Sequence, residues 1–530
     1  MEKHDEFTHI IIGAGSAGCI VAARIAENKK FNVLLIEAGL DCGPENSNIL
    51  MGIRDARRVP MKGQSDLFDE RIDWNVAVDL PDGTSMIVPQ AKLVGGGSSI
   101  NGGTALRSTK ADSDEWVRLG NNAWDFDSII QTYESMEEDA LRRTRGCHPI
   151  ARTKIEDAGK IQRAFVNGAI ECGFQPVADL NATGAEGAGP SPVCRRGNHR
   201  ISAANTYIDP IRGQDNFTLW SEKPVERLAL SGNKAIGVFL EDGQYVPASH
   251  EVVVSAGAIF TPALLQRSGI GETDLLRTLN IPQVAELPVG RSLSDHPCIP
   301  IISKPLDGSY DKDDYSLQMQ ARWSSSSYPG AIDLQMVCFS YLYTQASEPQ
   351  AQLRGLSGTA TGHVAGIGCN INKPNSLGHV NILSKNGSVR PLVSPGYLQT
   401  EADRSMAREV VRKAYDVLIS KPMQEVLQPP IGLPSQTVKF DDCLDQWISS
   451  QCSSTYHFCG TSRMANRDKG GVVDQSGRVY GVQGLRVCDA SIVPTVPAAN
   501  TMWTTMMFAE RIASSIRDGR DVCSHTGSKL

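Results

Sequence analysis

The sequence predicts a mixed α/β fold, with a Rossmann-like unit first and a second unit built on an antiparallel sheet. Three observations predict it. The run "HIIIGAGSAGCIVAARIA", His9 to Ala26, passes from β-branched residues through a glycine turn into a helical pattern. A second apolar run, "FNVLLIEAG", follows and ends around Glu37. Between residues 301 and 441 the chain turns to alternating or β-rich pieces, "AIDLQMVCFSYLYT" and "GHVNILS", separated by Gly, Ser and Pro, as antiparallel pairing requires.

Each piece has a physical reason. "THIII" is short and β-branched, a buried strand. Gly13, Gly15 and Gly18 form G-x-G-x-x-G directly after it. Gly13 permits the tight turn, Gly15 lets backbone approach a pyrophosphate, and Gly18 lets helix pack on strand. The helix start at Ser16 and Ala17 offers free N–H groups and a positive dipole end to phosphates. Glu37, followed by Ala38, lies 19 residues past Gly18, where an acid bonds both ribose hydroxyls and repels a 2′-phosphate. The stretch therefore indicates a dinucleotide other than NADP and leaves NAD and FAD open. Further on, "QAKLVGGGSSINGGTALRS", Gln90 to Ser108, places Gly95, Gly96, Gly97, Ser98 and Ser99 in a backbone-rich loop suited to an anionic or ring-shaped ligand. "LVSPGYLQTEADRSMAREVVRKAYDVLIS" reads as a turn into an amphipathic helix.

Composition narrows the classes. The chain of 530 residues is 41% hydrophobic and 21% charged, a soluble globular profile with room for two or three domains. A net charge of −7 gives no pull toward nucleic acid or anionic membrane, and no apolar run approaches the ~20 residues of a membrane span. "MEKHDEFTHI" carries three acids and no apolar core, unlike a secretory signal. The 13 cysteines lack CxxC spacing, which points to free thiols in a reducing compartment and to no metal site. The terminal Ser528-Lys529-Leu530 reads as a peroxisomal address taken by an import receptor; without it the expected compartment is the cytoplasm.

The open choice of dinucleotide is narrowed by a resemblance that covers essentially the whole chain. "AKLVGGGSSIN" (91–101), "HRISAANTYIDP" up to Pro210, "GAIFTPALLQRSGIG" (257–271), "VGRSLSDHP" (289–297), "HFCGTSRM" and "PAANTMWTTMMFAERIA" occur in that order. Together with the glycine turn they resemble the signature blocks of the glucose–methanol–choline (GMC) flavoprotein oxidoreductases. The resemblance implies FAD. It also implies a discontinuous FAD-binding domain over 1–155, 200–300 and 442–530, and a substrate-binding domain over 156–199 and 301–441. The position matching the family's covalent flavin-linking His is Ile100, which implies noncovalent FAD. Two departures concern loop geometry: Ser108 follows Arg107 where the family has Gly, and Ser292 stands where it has Asn.

The resemblance also implies the site. His457 in "YHFCGT" matches the catalytic His, and Asn500 in "PAANT" matches its partner. Alongside the glycine-turn residues, Gly95, Gly96, Ser98, Asn101, Gly102, Ala105, Val225, Asp489, Ala490, Asn500 and Thr501 are the expected cofactor contacts. Asn101 and Ala105 are placed near the flavin ring and Val225 near the adenine. Tyr456, Phe458 and Trp503 are candidate walls of a substrate pocket, whereas Cys459 and His296 read as packing residues. The implied reaction is oxidation of a primary alcohol to an aldehyde. Neutral His457 accepts the hydroxyl proton, hydride passes to flavin N5, and Asn500 donates a hydrogen bond to the substrate oxygen. With histidine near 6.5 and water, standing in for an alcohol, near 15.7, full proton transfer costs about 12 kcal/mol, so no free alkoxide accumulates. The expected electron acceptor is O2, giving hydrogen peroxide. An alcohol dehydrogenase using another acceptor and an FAD-containing lyase of the hydroxynitrile lyase type are the alternatives.

Overall fold

A computed structural model describes residues 7–43, 53–57, 70–311, 313–344 and 362–522. The mixed α/β architecture is the expected one. A parallel sheet of five strands has the order Phe217–Trp220, Val33–Ile36, His9–Ile12, Glu251–Val254, Leu485–Val487. Ile10 lies in register with Leu34 on one side and Val252 on the other. The central strands are buried at every position: helix Ser16–Ala26 packs on them, and a three-stranded meander of Val225–Ser231, Lys234–Leu240 and Tyr245–Pro247 packs against strand Glu251–Val254. Helix Ser16–Ala26 follows the first strand and packs against helix Thr501–Asp518 from the other end of the chain. Arg24 donates to both carboxylate oxygens of Glu510 across that contact, at 2.7 and 2.9 Å.

The second sheet is antiparallel throughout, with the order Ser453–Ser454, Pro297–Ser303, Gly362–Ile371, Leu334–Thr344, Leu317–Trp323, Gly187–Pro190. Helix Glu401–Leu418 packs on it. The Thr400 hydroxyl caps this helix by accepting from the Asp403 amide. The helix buries Met406, Ala407, Val410, Val411, Ala414, Val417 and Leu418, a 3–4 spacing that defines one face. Burial of each Val or Leu side chain contributes about 1.5–3 kcal/mol.

The molecule holds two large apolar cores. One draws on side chains between residues 10 and 36, 94 and 150, 194 and 289, and 459 and 522. The other draws on 76 to 88, 158 to 188 and 293 to 458, with Ala258 and Ile259. Two short pairings join the 294–298 and 453–459 segments. Pro297 and Cys298 pair with Ser454 and Ser453, and Ser294 bridges Cys459. His296 and His457 lie between these pairings and are thereby brought face to face.

Candidate active site

A cavity of about 660 Å³ is lined by both the first glycine turn and His457. Its wall includes Gly13, Gly15, Ser16, Ala17, Glu37, Ala38 and Val225. Helix Ser16–Ala26 begins there with no side-chain cap and no acid in its first turn, so its amide groups are free for an anion. Two glycines make the cradle. A Cβ on Gly18 would stand 1.9 Å from the Gly13 carbonyl oxygen, so only Gly lets the helix pack on its own turn. Gly96, at φ +52°, brings the second glycine loop against the first; a Cβ there would stand 2.6 Å from the Gly15 Cα. Gly15 itself meets nothing closer than 4.0 Å and keeps bare backbone toward the cavity. Glu37 is buried, and its carboxylate accepts from the amides of Ala14 and Gly39, each at 2.8 Å. Burial raises its pKa. A capless helix start, an acid at the end of the next strand and glycine backbone on both walls suit a dinucleotide.

Asn101, also in the cavity wall, ties the second loop to the C-terminal helix. Its Nδ2 contacts Met502 Sδ at 2.9 Å and its Oδ1 accepts from Gly103 N at 2.8 Å. Asp489, buried with its pKa raised by that burial, accepts from Gly257 N, Thr261 Oγ1 and Ser491 N. It thereby fixes the start of helix Gly257–Arg267 beside the cavity.

His457 and Asn500 line the same cavity. Asn500 Nδ2 lies 3.2 Å from His457 Nε2. His457 Nδ1 lies 2.9 Å from Nδ1 of His296, whose Nε2 lies 3.0 Å from the Pro497 carbonyl oxygen. Burial lowers the pKa of His457 to about 4, so the ring is neutral at pH 7. The backbone is fixed as firmly as the rings. The amide of His457 donates to Asp295 Oδ1 at 2.7 Å, while Tyr397 and Ser454 donate to Oδ2. Asp295 is buried and its pKa is pushed up to about 6. The 496–498 turn before Asn500 is pinned by Lys373 on the Val496 carbonyl, Arg322 on the Ala498 carbonyl and Asp112 on the Ala498 amide.

Most of the residues expected from the sequence line this cavity, including Asn101, Gly102, Ala490, Thr501, Tyr456 and Phe458. Several do not. Gly18 and Gly95 serve backbone packing behind the wall. Ser98 is buried, donating to Gly95 O and accepting from Ala203 N. Ala105 is fully buried away from the cavity. Trp503 is a correction: it is fully buried, its indole donates to Glu137 at 3.0 Å, and it does not line the cavity. Two residues beyond Thr501 on a helix is a turn of about 200°, which points it to the opposite face. His296, expected to pack, is instead bonded to His457. Cys459 is a buried thiol raised by desolvation, consistent with packing. Ile100 lines the cavity as an inert aliphatic wall. Ser108 bonds the Tyr133 hydroxyl at 2.9 Å, and Ser292 sits at φ +59°, the region that Asn tolerates better. Asp295, Tyr397 and Ser454 were not expected at all. Asp295 lies inside the quoted "SDHP" block, so an acid beside a histidine was the available signal. Tyr397 carries none, because its contact spans 102 residues. Residues 528–530 lie outside the described residues.

Comparison with known proteins gives a consistent picture. Profiles described as GMC oxidoreductase match residues 7–298 for the N-terminal part and 374–509 for the C-terminal part. The oxygen-dependent choline dehydrogenase of Vibrio vulnificus is 31% identical over 97% of this chain and 95% of its own length. The 5-(hydroxymethyl)furfural oxidase of Methylovorus sp. is 30% identical over 96% of this chain and 98% of its own. The solved structure of pyridoxine 4-oxidase from Mesorbium loti superposes with a TM-score of 0.85 at 25% identity, covering 97% of this chain and 99% of that one.

Proposed function

The chain belongs to the GMC oxidoreductase family of FAD-binding enzymes that act on alcohols, and from that premise we propose that it oxidises a primary alcohol to an aldehyde with His457 as the base. The observation that carries this reading is the 3.2 Å contact of His457 Nε2 with Asn500 Nδ2 in the wall of the cavity that the glycine turn also lines. FAD, when bound along the cavity, supplies the two-electron acceptor for the hydrogen on the carbinol carbon. The glycine turn, the start of helix Ser16–Ala26 and Glu37 hold the dinucleotide, and Ile100 leaves it without a covalent link. Segments 1–155, 200–300 and 442–530 serve the cofactor, and 156–199 with 301–441 shape the substrate end. Neutral His457 accepts the hydroxyl proton at Nε2. Asn500 Nδ2 donates to the same oxygen and steadies the charge that gathers there as the O–H bond weakens. A base near 4 is weak, so proton loss and departure of the carbinol hydrogen must be closely coupled. Tyr456 and Phe458 flank the base and offer an apolar wall to the substrate.

The acceptor proposed for the second half-reaction is O2, giving hydrogen peroxide; oxidase names among the relatives support this. We propose a peroxisomal site of action on the ground of Ser528-Lys529-Leu530, to be tested by the location of a tagged protein with and without that tripeptide. The reaction itself is tested by anaerobic mixing with a panel of alcohols. Bleaching of the flavin absorbance by one class establishes alcohol oxidation, and admitting O2 then separates oxidase from dehydrogenase. His457→Ala is expected to keep FAD and lose alcohol-driven bleaching by about 10²-fold or more. Near-normal bleaching in that variant, or no bleaching by any alcohol in the unsubstituted enzyme, sinks the reading.

A further inference from the structure

We propose that His296 is a positioning residue that sets the tautomer of His457, holding its proton on Nδ1 so that Nε2 is a bare lone pair facing Asn500. The inference rests on the reading of His457 as the base and extends it to a residue outside the reacting groups. It follows from counting donors and acceptors along one chain of contacts. The Pro497 carbonyl can only accept, so the proton between it and His296 belongs to His296 Nε2. The carbonyls of Pro497 and Asn372 both favour a proton on this ring, and Pro497 is the one in hydrogen-bond contact with Nε2. His296 is fully buried, and burial together with the neighbouring His457 disfavours its charged form. A neutral imidazole with its proton on Nε2 has a bare Nδ1. The 2.9 Å contact between the two Nδ1 atoms needs one proton, and only His457 can then supply it. His457 is neutral as well, which leaves Nε2 without a proton and able to accept from the Asn500 amide.

No carboxylate does this work among the described residues. Asp295 adjoins His296 in the chain, but its oxygens are taken by the His457 amide, Tyr397 and Ser454. Lys373, the charged side chain felt by His296, is itself held by Asp112 and Glu115. The tautomer is therefore fixed by a relay of neutral groups that begins at a backbone carbonyl on the turn carrying Asn500. One backbone segment thus orients both the base, through His296, and its hydrogen-bonding partner.

A packing residue and a positioning residue respond differently to substitution. Glutamine has one acceptor and one donor arm, as the neutral His296 ring does, whereas leucine has the bulk alone. We would label the holoenzyme with ¹⁵N-histidine, record two-bond ¹⁵N–¹H correlations, and compare the unsubstituted protein with His296→Gln and His296→Leu, assigning His457 through His457→Ala. The expected spectrum of the unsubstituted enzyme shows His457 protonated at Nδ1. His296→Gln keeps that tautomer and keeps kcat/KM within about 3-fold, whereas His296→Leu strands the Nδ1 proton, shifts it to Nε2 and lowers kcat/KM about 10-fold or more. If the leucine variant fails to fold, the unsubstituted spectrum and the glutamine variant still decide the question. A tautomer shift with unchanged kcat/KM supports the role of His296 and refutes His457 as the base. An Nε2-protonated His457 in the unsubstituted enzyme, or an Nδ1-protonated one in His296→Leu, overturns the inference.

Discussion

If burial holds the pKa of His457 near 4, acidification to pH 5 should leave the proposed base in place. An ordinary histidine near 6.5 is about 76% neutral at pH 7 and about 3% neutral at pH 5, which would lower kcat/KM about 25-fold. A histidine near 4 is still about 90% neutral at pH 5, a loss of about 10%. The cause is desolvation: no carboxylate contacts either ring among the described residues, so nothing compensates the charged form. The weaker base has a cost. Its gap to an alcohol near 15.7 widens to about 12 pKa units, or about 16 kcal/mol, so the proton leaves only as the carbinol hydrogen departs. The assay must separate chemistry from unfolding, because the same burial makes the fold acid-sensitive. His9, His148 and His457 all have folded pKa values near 4. Each folded value is depressed, so the unfolded chain binds more protons and stability falls as pH drops from about 6.5 toward 4. At pH 5 the loss is about 2 kcal/mol per histidine. Asp295, raised to about 6, acts in the opposite sense and returns part of this on acidification. The enzyme is therefore held at pH 7, mixed anaerobically with alcohol into buffers from pH 7 to 5, and followed within its first turnover. An acid limb in kcat/KM centred near pH 6.5, above the Asp295 carboxyl at about 6, would refute the claim that burial sets this base.

Three further outcomes follow from the packing. Ser292→Asn should stabilise the protein by about 0.5–1 kcal/mol, because Asn accepts the left-handed φ of +59° more readily; a lower denaturant midpoint would contradict it. Glu137→Ala should cost about 3–5 kcal/mol, since it leaves Arg107 buried without its bidentate partner and Trp503 Nε1 without an acceptor. At about 2.1 cal/mol/K per residue, that lowers the thermal midpoint by about 3–5 °C, and an unchanged midpoint would show the pair to be dispensable. Acid precipitation of the holoenzyme should leave all the flavin in the supernatant, because Ile100 offers no atom for a covalent link; yellow colour in the pellet would overturn the noncovalent reading.

The sequence by itself determined the glycine turn, the flanking strands and helix, and the acid after the second strand. It also determined the amphipathic helix Glu401–Leu418. These are local: a β-branched run, a 3–4 spacing or a glycine whose Cβ has no room leaves its mark within a few residues. The family blocks likewise made FAD legible and singled out His457 and Asn500, whose side chains the fold places 3.2 Å apart. Only the tertiary structure decided which faces those residues show. Trp503 reads as a neighbour of Asn500, yet the helical turn sends it to Glu137. His296 reads as packing, yet a short strand pairing delivers it to His457 across 161 residues. Tyr397 meets Asp295 across 102 residues with no periodicity to announce it. A hydrogen bond between distant segments depends on the register of the sheets that carry them, and register is settled by the packing of the whole core. The protonation of His457 belongs to this second kind: the residue type allows either tautomer, and a carbonyl on another turn selects one.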